Sequence, residues 1–213
     1  MSKGFDQLTV LDHPLIAHKM SILRDESTDR KMFRELVREI TLLEVYEATR
    51  ALPVEPCSIT TPVAPMQAEH LAGPAPIIVP ILRAGLGMVD GVMELIPTCR
   101  VGHLGMYRDE KTFQPVPYYA KFPDGLATSP IFILDPMLAT GGSAAAAVNF
   151  VKEQGGHDIT LMCIVAARPG VTTLLEAHPD MRVFAAAFDE ELTPNAYITP
   201  GLGDAGDRLF GTL

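Results

Sequence analysis

Four runs between residues 76 and 188 are apolar at nearly every position rather than at every second one: PIIVPI (76–81), IFILD (131–135), ITLMCIVAA (159–167) and RVFAAAF (182–188). A strand with one wet face alternates, so a strand without alternation is covered on both faces. The first three runs each lead through a short loop into a helix-forming stretch. LRAGLGM precedes VDGVMELI, PMLATGGS precedes AAAAVNFVKEQ (closed by Gly155-Gly156), and RPG precedes VTTLLEAH. Strand, loop and helix repeated in this way predict an α/β fold: a doubly wound, mainly parallel sheet with helices on both faces. At 213 residues and 47% hydrophobic, the chain has ample material for one such core, and we expect a single domain over 1–213.

The remaining segments attach to this frame. Residues 28–52 place Phe33, Leu36, Val37, Ile40, Leu43 and Tyr46 at spacings of three and four, which predicts an amphipathic helix. Thr28 is its expected N-cap and Pro53 its stop, so 1–52 reads as a helical N-terminal extension. Residues 106–123 read as two extended pieces around FQPVP, a flexible β-hairpin arm. The C-terminal YITPGLGDAGDRLFGT (197–212) is too glycine-rich for helix or strand and too apolar for a disordered tail. It reads as a loop with many free backbone groups, able to face a flat, small, polar ring, with a merely packed loop as the alternative.

A formal net charge of −9 argues against broad contact with nucleic acid, which requires a basic surface. A small anionic ligand needs only local cations and helix N-termini. No apolar run approaches the roughly 18–20 residues of a membrane span, and the start shows no signal-peptide pattern. Cys57, Cys99 and Cys163 are widely spaced, and the six histidines form no metal-ligand motif, so neither a disulfide framework nor a built-in metal site is expected. A cytoplasmic location follows as the expectation.

In open parallel sheets, ligands bind beyond the carboxyl ends of the strands. The loops at 82–87, 135–143 and 168–170 all follow strands and therefore open at one edge. Thr140-Gly141-Gly142-Ser143 stands where a helix begins, and taken alone it fits two readings. One is an ordinary turn with Ser143 as N-cap. The other is a phosphate cradle, in which the first helical N–H groups and the dipole face an anion, glycines permit close approach, and two hydroxyls add donors. It is not a Walker loop, because no lysine follows the glycines. Asp135 at the strand end favours the cradle: an acid there can accept hydrogen bonds from sugar hydroxyls beside a phosphate.

Residues 135–144, DPMLATGGSA, resemble the signature of the phosphoribosyltransferases that use phosphoribosyl pyrophosphate (PRPP). Many of that superfamily carry two successive acids before the glycine-bearing loop. Here Pro136 takes the second place, the form found in the uracil phosphoribosyltransferase family. LDHPLIAHKMSILRD (11–25), ILRAGLGMVDG (81–91), YRDEKTFQPVPYYAKFP (107–123) and YITPGLGDAGDRLFGT (197–212) resemble further blocks of that family, in its order.

The resemblance implies a phosphoribosyltransferase-like fold, with residues 106–123 as an arm over the site and 190–213 as the base-recognition segment. It implies the reaction of uracil with PRPP to give UMP and pyrophosphate, with Asp135 and Arg108 as catalytic residues. PRPP would be bound by Arg83, Arg108, Asp135, Pro136, Met137, Leu138, Ala139, Thr140, Gly141, Gly142, Ser143 and Asp204. Uracil would be read by Ile198, Gly203, Asp204 and Ala205, largely through backbone groups. The arginine fork suits a pyrophosphate, since it offers several fixed donors and does not deprotonate. Mg²⁺ would arrive with the pyrophosphate, with no dedicated metal residue, and a homodimer or higher homo-oligomer and a GTP activator are further implications. Because backbone groups would read the base, another base remains an alternative, as does a non-catalytic sensor of PRPP or a pyrimidine nucleotide. Two positions depart from the family pattern: Arg168-Pro169 stands where a Pro-Glu pair is more usual, and Thr193 where Asn is.

Overall fold

A computed structural model describes residues 4–108 and 115–212, apart from the side chains of Tyr107 and Arg108. In chain order the elements are β1 (Leu8–Val10), α1 (Pro14–Arg24), α2 (Arg30–Ala48), β2 (Val54–Thr60), β3 (Pro65–Leu71), β4 (Ile77–Leu82) and α3 (Leu86–Leu95). There follow β5 (Arg100–Val101), β6 (His103–Arg108), β7 (Pro115–Lys121), β8 (Ile131–Leu134), β9 (Met137–Leu138) and α4 (Gly142–Glu153). The chain ends with β10 (Ile159–Ala167), α5 (Arg168–Ala177), β11 (Arg182–Asp189), β12 (Glu191–Leu192), β13 (Ile198–Thr199) and α6 (Ala205–Phe210).

Among the described residues, a nine-stranded sheet runs β1-β11-β10-β8-β4-β6-β7, with β5 beside β4 and β9 beside β10. Pairing is parallel throughout except between β6 and β7. The four apolar runs are its centre, and alternate side chains leave by opposite faces. Ile77, Val79, Ile131 and Ile133 join α4 and α5 in one buried cluster, whereas Ile78, Phe132 and Leu134 join α1, α2, α3 and α6 in the other. Both clusters are apolar, which is why the strands lack a polar alternation.

Several expectations need correction. The cap of α2 is Asp29, whose Oδ1 accepts the Met32 N–H at 2.9 Å, while the Thr28 hydroxyl turns back to donate to the Ile22 carbonyl at 2.5 Å. The buried stripe of α2 runs through Phe33, Leu36, Val37, Ile40, Thr41, Glu44, Val45 and Ala48. Leu43 is only half-buried and Tyr46 is 64% exposed, because a helical period carried on from Ile40 lands on Glu44, a residue type that reads as solvent-facing. The helices α1 and α2 are not peripheral: Leu23, Phe33 and Ile40 are among the largest fully buried side chains. The sequence Arg168-Pro169-Gly170 is the first turn of α5, not a loop, because Pro169 is pre-set for a helix start. The C-terminal segment contains a helix after all. Asp204 caps α6 through the Asp207 N–H at 2.8 Å, and Gly211 at φ 68° ends it.

The β6–β7 hairpin confirms two extended pieces within 106–123, paired antiparallel, while 109–114 lie outside the described residues. A second hairpin, β2–β3, had no distinctive signature beyond prolines, and its strands are almost wholly exposed.

Candidate active site

The cleft that matters lies where β4 and β8 end. β8 stops at Leu134, and the next peptide stays bound to the sheet: the Asp135 N–H donates to the Met162 carbonyl at 3.2 Å, and the Pro136 carbonyl accepts from Val165 at 3.0 Å. Through β9, Met137 and Leu138 then pair with Val165 and Ala166. Pro136 and Leu138 are buried underneath, which leaves Asp135, Met137, Ala139 and Thr140 facing outward.

At Gly141 the chain turns into α4 with φ 84°, a left-handed conformation that suits glycine. A Cβ there would also stand 2.5 Å from the Gly170 carbonyl oxygen in the first turn of α5. Ser143 is not the cap. The helix begins at Gly142, no side chain among the described residues caps it, and Thr140 and Ser143 are exposed beside its first turn. A helix start whose N–H groups receive no side-chain acceptor is suited to an anion.

Asp135 is half-buried at the floor of the cleft. Removal from bulk water raises its pKa to about 7, offset in part by the Met137 N–H. The group therefore sits near the midpoint of its titration at neutral pH, and a positive charge beside it would favour the carboxylate.

The opposite wall comes from the segment after β11. A cavity of about 370 Å³ is lined on one side by Ala84, Asp135, Met137, Ala139 and Thr140. On the other side it is lined by Asn195, Ala196, Tyr197, Ile198, Gly203, Asp204, Ala205 and Gly206. The cleft thus brings together Asp135, Met137, Ala139 and Thr140 with Ile198, Gly203, Asp204 and Ala205. Gly141, Gly142 and Ser143 continue from its rim. Arg83, at the end of β4, is exposed rather than enclosed, with its guanidinium 3.8 Å from the Asp207 carboxylate. The side chain of Arg108 lies outside the described residues.

Asn195, Ala196 and Tyr197 escaped the sequence reading. Their place is set by a turn: the Thr193 N–H donates to the Tyr197 carbonyl at 2.7 Å, the Thr193 hydroxyl accepts the Tyr197 N–H at 3.2 Å, and Ala196 adopts φ 64°. Thr193, one of the two departures, therefore closes the turn that supplies three lining residues. Arg168, the other, lies against Glu190, with Nε 2.5 Å and Nη2 3.2 Å from its two carboxylate oxygens, and its guanidinium rests over the rings of Phe5 and Phe188. It ties α5 to the end of β11 and is not among the residues lining the cleft.

Among the described residues, no three His, Cys, Asp or Glu side chains are grouped as a metal would require. The acids near the cleft are Asp135 on one wall and Asp204 on the other. This donor set fits a divalent cation that keeps mostly substrate oxygens and water as ligands.

Comparison with known proteins agrees with this fold. The family model for "Uracil phosphoribosyltransferase" matches residues 10–212. A uracil phosphoribosyltransferase of Symbiobacterium thermophilum is 55% identical over 206 residues, 97% of this chain and 99% of that one. One of Streptococcus agalactiae is 57% identical over 203 residues, 95% and 97% of the two chains. The solved structure of the AQ2163 protein from Aquifex aeolicus superposes with a TM-score of 0.90 at 34% identity, covering 96% of this chain and 98% of that one. An adenine phosphoribosyl transferase from Trypanosoma brucei, at 11% identity and a TM-score of 0.57 over 95% and 90% of the chains, shares the fold. With a parallel sheet, a glycine-bearing loop at its edge and a family match over nearly its whole length, the chain belongs to the uracil phosphoribosyltransferase family.

Proposed function

We propose that this protein transfers the phosphoribosyl group of PRPP to N1 of uracil, giving UMP and pyrophosphate, a pyrimidine salvage step. The observation that carries the proposal is the two-walled cleft. Asp135 and the 137–140 loop face Ile198 and Gly203–Ala205 across about 370 Å³, within the roughly 300–1,000 Å³ of small-molecule sites. Residues 140–143 at the start of α4 hold the 5′-phosphate, and Pro136 and Leu138 anchor that loop to β10. Asp135 accepts from the ribose hydroxyls and faces the ring as it becomes oxocarbenium-like, where its charged form is favoured. Arg83 and Arg108 take the pyrophosphate, and Asp204 stands where base and sugar meet. Backbone groups at Ile198 and Gly203–Ala205 read the uracil edge. No covalent intermediate with the protein is needed, since positioning and charge complementarity lower the barrier. Mg²⁺ supplies charge neutralisation of the leaving pyrophosphate when bound.

The arm at 106–123 closes over the site and excludes water from the reactive ribosyl centre. The whole chain acts as one unit, with 190–213 as the base-recognition part. It works as a homodimer or larger homo-oligomer: β2–β3 is a two-stranded ribbon with both strands exposed, a structure that is marginal alone in water and is steadied by a second copy. Among the described residues no helix is long and apolar enough to cross a membrane. The widely spaced cysteines support a cytoplasmic location.

The test is UMP formation from uracil and PRPP with Mg²⁺, with cytosine, hypoxanthine and orotate in parallel. Turnover with uracil alone is expected. Turnover with a different base would overturn the reading of 198–205, and the same assay with and without GTP decides whether that nucleotide activates.

A further inference from the structure

We propose that Arg24, Asp189 and Arg208 are positioning residues for base selection: they clamp the backbone of Gly201 and Leu202 and so fix which polar groups of the 198–205 loop face the cleft. The inference rests on the proposed role of that loop in reading the base.

Both backbone groups of Gly201 are held. Its N–H donates to Asp189 Oδ2 at 2.9 Å, and its carbonyl accepts from Arg24 Nη1 at 2.9 Å. The two side chains are themselves joined as a fork, with Arg24 Nη1 2.7 Å from Asp189 Oδ2 and Nη2 2.9 Å from Oδ1. Asp189 is the last residue of β11 and only 7% exposed, and Arg24 lies in the last turn of α1. The next carbonyl, that of Leu202, accepts from Arg208 Nη1 at 2.9 Å. The other end of the Arg208 guanidinium donates to the Asp25 carbonyl at 2.6 Å, and its Cζ lies over the Phe33 ring, 4.3 Å from the centroid. Two arginines thus bind two consecutive carbonyls of the loop to one place, the end of α1 at Arg24 and Asp25.

The consequence is selective. With the carbonyls of 201 and 202 engaged by arginines, the loop presents to the cleft its residues on either side, Ile198 and Gly203 to Ala205. Ile198 and Ala205, at the two ends of that stretch, are buried with Leu202 in the core shared with α1 and α2. A site that reads a small ring by backbone groups tolerates displacements of only about 0.5 Å. A lysine in place of either arginine keeps the charge but loses the planar fork.

The test uses the full-length enzyme and the variants Arg24→Lys, Asp189→Asn and Arg208→Gln, read in two ways. Amide hydrogen exchange within 198–205 is expected to accelerate about tenfold, as loss of a hydrogen bond to a charged group would give, while 135–143 stays unchanged. Steady-state kinetics are expected to show the uracil KM raised about tenfold with the PRPP KM moved less than twofold, a split that general destabilisation would not produce. Arg24→Lys, the mildest change, serves if either of the others fails to fold. Unchanged exchange in 198–205 overturns the clamp, as does faster exchange with both KM values unmoved or moved together. If the unsubstituted enzyme uses another base, the uracil reading fails while the clamp is still decided, by exchange and by the KM of that base.

Discussion

Gly141 and Gly170 face each other across the gap between the 138–141 loop and α5, each too close to the opposite backbone to carry a side chain. A Cβ on Gly141 would lie 2.5 Å from the Gly170 carbonyl oxygen, and one on Gly170 would lie 2.5 Å from the Ala139 carbonyl oxygen. The contact seats the start of α4 against the start of α5, so Gly170→Ala has to push 138–141 away. We expect a stability loss of about 1–3 kcal/mol by denaturant melt and a rise in the PRPP KM larger than that for uracil. An unchanged PRPP KM would mean that the loop adjusts without losing its ligand.

Asp135 gives a pH signature. With its pKa near 7 in the free enzyme, and with the carboxylate as the competent form, kcat/KM for PRPP should fall as pH drops below about 7. Asp135→Asn should lower kcat by about a hundredfold, leave the uracil KM within twofold, and abolish that inflection. The same shift predicts a stability change: the folded pKa lies above the ordinary 3.8, so ionising Asp135 destabilises the fold progressively as pH rises from about 4 to 7. Asp135→Asn should therefore melt higher than the unsubstituted protein at pH 8 and show less advantage at pH 4.

Glu44 is the least comfortable residue in the core. It is fully buried on α2, among the described residues neither carboxylate oxygen has a hydrogen-bond partner, and burial pushes its pKa well above 4.5 despite the nearby Ala186 N–H. The β10–β11 pairing steps from Cys163↔Ala185 to Val165↔Ala187, passing over Ala186 at this level. Glu44→Leu should stabilise the fold by about 1–3 kcal/mol at neutral pH, the cost of an unpaired buried polar group. The gain should grow as pH rises above 4.5, because the native state must then hold a proton that the unfolded chain releases. Melts at pH 5 and pH 8 check both statements, and a destabilised variant would show that the carboxyl is needed.

Arg83 stands exposed at the rim, 3.8 Å from Asp207. Arg83→Ala should raise the PRPP KM about tenfold, the loss of a charge-assisted hydrogen bond, and leave the uracil KM and the melting temperature near their original values. Pyrophosphate inhibition should weaken in parallel. If uracil binding suffers equally, the side chain is serving the base wall through Asp207 and not the leaving group.

The central strands were legible because β4, β8, β10 and β11 send side chains into both buried clusters, so their runs are apolar at nearly every position. The wall from Asp135 to Thr140 was legible because a carboxylate and glycines stand out at the end of a buried strand. Other parts were hidden by tertiary contacts. Glu44 disguised the true stripe of α2, since its burial is decided by the sheet it packs on. The six-residue α6 was masked by glycines, and only the Asp204 cap and the buried Leu209 reveal why it forms. Asn195 to Tyr197 reach the cleft through a turn closed by Thr193, a relation that no periodicity records. Arg24, Asp189 and Gly201 lie far apart in sequence and meet only because α1 ends beside the end of β11.

One wall of the cleft grows from strands in the middle of the sheet, and the other is contributed wholly after β11, by residues beyond the last strand of that sheet. The two walls are thus separable in inheritance. A recombination near residue 189 could graft a different tail onto an intact sheet, exchanging one face of the cleft while Asp135 and the α4 start pass unaltered to the descendant. A fold arranged this way can diversify what it accepts by editing its end, provided the new tail keeps the core seats of Ile198, Leu202, Ala205 and Leu209 and the hold of Arg24 and Asp189 on Gly201.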